Sequence, residues 1–222
     1  MNLILISLAP VFIIAIYIYY RDKYEKEPWR VLARALIIGI LITLPIILLE
    51  RLLSLYLPYS HMSAAAYNAF IVASFSEESI KYLGFMLFIW TSRHFNEKFD
   101  GIVYAVFISL GFALVENILY VVDGGISVGL IRSLTAVPAH ALFGILMGFY
   151  FGMAKFFPAK RVYYLLLAWF LPWLFHGFYD FCLMSEHYLL LILFLPFLAF
   201  LWFLGFRKMK YLSERSIYRN DL

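Results

Sequence analysis

Phe75-Ser76-Glu77-Glu78-Ser79-Ile80-Lys81 interrupts an otherwise apolar run that extends from Ala64 to Trp90. The run is longer than the ~20 residues a helix needs to cross the hydrocarbon core of a bilayer. An ionisable side chain near the middle of that core costs at least ~2.5–3.5 kcal/mol on insertion scales, so each one calls for a partner and a purpose. On a helix, Glu77 and Lys81 are spaced i,i+4 and Glu78 and Lys81 i,i+3, which lets one ammonium reach either carboxylate. A structural ion pair would need only one glutamate, so the doubled carboxylate points beyond helix glue.

Composition agrees with a membrane setting. Of 222 residues, 64% are hydrophobic and 14% charged, and the mean hydropathy is +0.86. A soluble domain averages roughly 45–50% apolar and ~25% charged residues. The fold class expected is therefore all-α integral membrane, with residues 1–222 forming a single polytopic domain. The one cysteine, Cys182, excludes an internal disulfide framework. The net charge of +4 reads as topology and not as nucleic-acid binding, because the basic residues are dealt out to particular loops.

Seven spans are expected: Asn2 to Tyr20, Val31 to Leu49, Ala64 to Trp90, Gly101 to Val122, Ser127 to Met153, Val162 to Met184 and Tyr188 to Phe206. The first has no preceding Lys or Arg and no small-residue cleavage site, so it reads as a retained helix. Asp123-Gly124-Gly125 reads as a turn. Basic residues crowd the odd-numbered loops and the tail, from Arg21, Lys23 and Lys26 through Lys155, Lys160 and Arg161 to Arg207, Lys208 and Lys210. By the positive-inside rule the N-terminus is outside and the C-terminus cytoplasmic.

Besides the Glu77, Glu78, Lys81 cluster, the spans hold Glu116, Asn117, Arg132, His140, His176 and Asp180. Spans three to six each contribute, whereas one, two and seven have none in their interiors. Four helices around a shared polar interior and three that pack or face lipid is the arrangement this implies. Glu116, His176, Glu77 and His140 lie about 6 to 12 residues from the outer ends of their spans, roughly 9–18 Å deep, which fits one cavity in the outer half of the membrane. His176 and Asp180 share a helix face at i,i+4, so the aspartate is placed to orient the imidazole. His140, Gly144, Gly148 and Gly152 form a stripe that allows close helix approach. Phe112 lies one turn before Glu116.

Carboxylates and imidazoles in a dry site suit hydrolysis, with a glutamate as general base on water and a histidine assisting proton transfer or the developing oxyanion. The same groups make a metal set: His140 and His176 with Glu77 or Glu116 are a usual catalytic zinc arrangement, although no HExxH motif is present. A proton-coupled transporter would also line its interior this way, but the chain shows no inverted repeat or paired broken helix. A non-catalytic membrane scaffold would not need both glutamates.

The motifs resemble those of the PrsW family of intramembrane site-1 proteases, itself related to the CAAX-prenyl endopeptidases. Glu77-Glu78-xx-Lys81 is similar to the family's EExxK, Phe112-xxx-Glu116-Asn117 to its FxxxEN, and Arg132 with His140 and His176 with Asp180 to its third and fourth segments. The likeness takes in Asp100-Gly101-Ile102-Val103-Tyr104 and nearly the whole chain. It implies a multipass protease of the bacterial plasma membrane that makes the first cut in a single-span anti-sigma factor. A site-2 protease would act on the product and free an extracytoplasmic-function sigma factor under envelope stress. Carried over by position, Glu77, Glu78 and His176 are the foremost catalytic residues, supported by Glu116, Asn117 and His140, with Lys81, Asp180, Arg132 and Phe112 around them. The cofactor implied is none or a single zinc ion.

Overall fold

The computed structural model describes residues 3–56 and 58–219, all helix and connecting loop with no strand among the described residues. The expected start of the first span at Asn2 lies outside them. The elements are α1 (Leu3–Arg21), α2 (Trp29–Leu53), α3 (His61–Tyr67), a π-helical segment (Asn68–Phe75), α4 (Ser76–Phe88), α5 (Lys98–Leu134), α6 (Ala136–Phe156), a 3₁₀ turn (Pro158–Lys160), α7 (Arg161–Met184) and α8 (Tyr188–Ser213). Helix is what an apolar chain adopts in lipid, where each backbone donor must find its acceptor within the segment.

The chain is an all-α integral membrane protein. Among the described residues, five helical stretches are long and apolar enough to cross a membrane: Leu3–Arg21, Trp29–Leu53, Lys98–Phe156, Pro158–Met184 and Tyr188–Ser213. The difference from the seven expected lies in the middle. The expected third span is a composite path, α3 and α4 joined through the π segment. The fourth and fifth are one path of 59 residues. Its turn is a single backbone break at Gly125 (φ 73°, ψ −164°), a left-handed conformation that glycine adopts without a Cβ penalty. A second break at Thr135 starts α6. Residues 126–134 follow that break as a helical stretch of their own, so the turn expected at Asp123-Gly124-Gly125 is present, and the span expected from Ser127 is broken once more at Thr135.

α5 and α6 form the centre. Residues 99–114 and 136–149 are buried without interruption. The two run antiparallel with almost no side chain between them: a Cβ on Gly101 would stand 2.8 Å from the amide nitrogen of Gly152. The expected glycine stripe thus does bring helices together. α2 crosses the other face of α5, where Gly39 and Gly111 meet. α1, α2 and α8 present Ile13, Leu41 and Leu195 outward, each about two-thirds exposed, as lipid-facing helices should.

The path to Glu77 and Glu78 is shaped by the π segment. Its wider turn rotates the helix face that follows. α7 clamps it: Trp173 Nε1 donates to Phe70 O (2.8 Å) and Ser74 Oγ donates to Trp173 O (2.5 Å). Trp169 Nε1 donates to Ser79 Oγ (2.9 Å) one turn further on.

Candidate active site

A cavity of about 660 Å³ opens at the end of the bundle where α2 and α7 finish and α3 and α6 begin. Seven of the ten expected residues line it: Glu77, Phe112, Glu116, Arg132, His140, His176 and Asp180. Glu78 and Lys81 sit behind this wall, 0% and 1% exposed. Asn117 turns away from the cavity: its Nδ2 donates to Ser7 O on α1 (3.2 Å), and its Oδ1 accepts from Arg132 Nε (3.2 Å).

The centre is built on Lys81. Its Nζ donates to Glu77 Oε2 (2.9 Å) and to Glu78 Oε1 (2.8 Å), so both spacings read from the sequence are used at once. The ring of Phe112 lies beneath it, 4.1 Å from the ammonium. His140 Nδ1 is 3.4 Å from the same Nζ. An ammonium can only donate, so Nδ1 accepts and Nε2 carries the proton given to Glu116 Oε2 (2.9 Å). Arg132 closes that side, with its Nη2 2.6 Å from Glu116 Oε2 and its guanidinium 3.9 Å from the Tyr120 ring.

His176 stands between two carboxylates on opposite edges, Glu78 Oε1 at Nδ1 (2.9 Å) and Asp180 Oδ2 at Nε2 (3.2 Å). Phe143 stacks on its face at 4.7 Å. The pairing of His176 with Asp180 follows the i,i+4 spacing read from the sequence. Glu50 was not among the expected residues, yet it lines the cavity from α2 with Thr43. It follows directly on the expected end of the second span at Leu49, and only the crossing of α2 over α5 turns it inward.

One ligand atom from each of Glu77, Glu78, His140 and His176 lies within 4.8 Å of the others, and all four residues are buried. Glu78 Oε2 is in addition a buried oxygen without a partner. Two imidazoles and two carboxylates are a donor set that fits zinc or a similar transition metal. The group contains His140, His176 and Glu77, one of the two expected sets, and adds Glu78, whereas Glu116 is committed to Arg132 and His140.

The sequence model of the PrsW family intramembrane metalloproteases matches residues 27–204. The chain is 38% identical over 209 residues to the protein named Protease PrsW of Geobacillus kaustophilus, covering 94% of this chain and 91% of that one. It is 37% identical to the Protease PrsW of Bacillus subtilis (95% and 94% covered) and 36% to that of Clostridioides difficile (96% and 93%). No solved structure matches.

Proposed function

The chain belongs to the PrsW family of intramembrane metalloproteases, and we propose from that premise that it makes the site-1 cut in a single-span anti-sigma factor. A site-2 protease and cytoplasmic proteolysis then free an extracytoplasmic-function sigma factor. The chain is a peptidase of a multipass membrane protein, which sets aside the transporter and scaffold readings. The observation that carries the finer reading is where the cavity opens: at the end of the bundle away from Arg21, Lys23, Lys26, Lys160 and Arg161. With the N-terminus outside, that end faces out, where the exposed stub of a membrane-anchored substrate would lie.

Glu77 is the general base. It is the member of the glutamate pair that lines the cavity, and Lys81 fixes one of its oxygens. Glu78 positions: it holds Lys81 and the Nδ1 edge of His176. His176, oriented by Asp180, passes the proton to the leaving amine, and Arg132, held in place by Glu116 and through it by His140, supplies N–H donors toward the developing oxyanion. With a zinc ion bound, Glu78, His140 and His176 would hold it, His176 then being a ligand and not the proton carrier, Glu77 would remain free as the base, and the ion would supply Lewis-acid polarisation of the scissile carbonyl.

Cleavage of a reconstituted single-span anti-sigma factor tests this reading. Glu77→Gln should lower the rate by about 10²–10⁴, the usual worth of a positioned base. A chelator should abolish cleavage and zinc restore it in the wild type but not in His176→Ala. Wild-type rates in Glu77→Gln, or no cleavage of any envelope-stress anti-sigma factor by the wild type, would overturn it.

A further inference from the structure

At the end of the bundle away from the cavity, a second group of acids is closed in by the α1–α2 loop, the α4–α5 loop and the first turn of α5. Asp22, Glu25 and Glu27 come from the first, Glu97 from the second and Asp100 from the third. We propose that these five carboxylates bind a hard divalent cation of the Ca²⁺/Mg²⁺ class, at a site separate from the catalytic one.

Two overlapping triads that share Asp100 each have the spacing of an ion's ligands. An oxygen from each of Asp22, Glu97 and Asp100 lies within 4.8 Å of the others, and the same holds for Glu25, Glu27 and Asp100, so Asp100 joins two triads. Oxygens on opposite sides of a calcium ion stand about 4.6–5.2 Å apart. The donors are all oxygen, with no imidazole or thiolate among them, which selects a hard cation over zinc.

The second observation is independent of clustering. Four of the carboxylates are fixed through one oxygen. Asp22 Oδ2 accepts from the Glu27 amide (3.1 Å), Asp100 Oδ2 from the amides of Asn96 (2.9 Å) and Glu97 (2.7 Å), and Glu25 Oε1 from Asn96 Nδ2 (3.0 Å). Glu27 Oε2 accepts from the Tyr104 hydroxyl. The other oxygen of each, Asp22 Oδ1, Glu25 Oε2, Glu27 Oε1 and Asp100 Oδ1, is buried without a partner, as is Asn96 Oδ1. Asp22, Glu27 and Asp100 are 1%, 3% and 0% exposed. Folded proteins leave few buried acceptors unpaired, and five at one place mark a missing donor or cation. Among the described residues, none of Arg21, Lys23, Lys26, Lys98 and Lys155 forms an ion pair with these acids. Burial pushes the carboxyls of Asp22 and Glu27 up to about 7, the electrostatic cost that a bound cation removes.

A cation here would tie the α1–α2 loop to the start of α5, and through Ser216 Oγ, which donates to Glu97 Oε2 (2.5 Å), to the C-terminal tail.

The test uses the full-length protein in detergent, stripped with a chelator, with CaCl₂ or MgCl₂ as the sole addition. At a hundredfold excess over Kd the unfolding midpoint should rise on the order of 5–10 °C. The rise should persist in His176→Ala, which empties the catalytic set, and disappear in Asp22→Asn and in Glu25→Gln, the latter at a less buried position. Terbium should luminesce when excited through tyrosine, because Tyr104 touches Glu27, and the emission should be displaced by Ca²⁺ and fall at least tenfold in Glu25→Gln. The proposal is overturned if neither ion shifts the wild type, or if the shift and the emission survive both neutralising changes. It is equally overturned if those changes stabilise the stripped protein while the wild type ignores both ions, since the acids would then hold protons.

Discussion

Lys81, itself 1% exposed, is shared by two carboxylates, and the consequence of removing it can be worked out from that sharing. Lys81→Met keeps the length of the side chain and deletes the charge, leaving Glu77 and Glu78 facing each other without a counter-ion. Breaking a buried pair from one side costs about 3–5 kcal/mol, because the abandoned charge stays buried. Lys81→Met should therefore lower the unfolding midpoint by on the order of 10 °C, and Glu78→Gln added to it should recover part of the loss. Additive losses in that double variant would mean the ammonium does not hold the pair. The Lys81 contacts were legible in the sequence because i,i+3 and i,i+4 spacings on one helix fix who can meet whom. Glu50 and the orientation of Asn117 were not, because both depend on which neighbour crosses: α2 over α5 for the first, and α1, through Ser7 O, for the second.

At the scale of elements, the π segment before Glu77 escaped the sequence for a simple reason. Of the eight residues Asn68–Phe75 only Asn68 and Ser74 are polar, and neither distinguishes a wider turn from an α-helical one. By contrast the close pairing of α5 with α6 was written in the glycine stripe, since small residues four apart have few other uses inside a membrane. The side chain that fixes the π segment is Trp173, whose Nε1 serves Phe70 O. Trp173→Phe keeps a ring against Phe70 and Trp169 but removes the donor, and a carbonyl left unsatisfied costs about 1–3 kcal/mol. The midpoint should fall by a few degrees. Cleavage should fall further than stability does, because the π segment sets the face on which Glu77 enters the cavity; equal cleavage at a temperature well below the midpoint would show that the segment serves packing alone.

Over the whole molecule, the lysine- and arginine-bearing loops and the cavity lie at opposite ends. The loops at 22–28, 91–97 and 157–160 and the tail gather at one end, joined by contacts such as Lys98 over Phe157 and Ser216 to Glu97. The cavity opens at the other, lined by Tyr120, Ile131 and, before the α7–α8 connection, Met184. Sequence parity alone anticipated that separation, because basic loops alternate with loops that hold none. It did not anticipate that the basic end also buries an acidic group, since Asp22, Glu25, Glu27, Glu97 and Asp100 read along the chain as ordinary loop charges. Which end faces out can be decided by labelling. In a Cys182→Ala background, which removes the single, fully buried thiol, Ser127→Cys and Ala159→Cys place one exposed thiol at each end. A membrane-impermeant maleimide applied to intact cells should label Ser127→Cys and spare Ala159→Cys until the cells are lysed. The reverse pattern would turn the cavity toward the cytoplasm, put the scissile bond on that side, and remove the ground for a site-1 cut at the outer face while leaving the chemistry of Glu77 and His176 untouched.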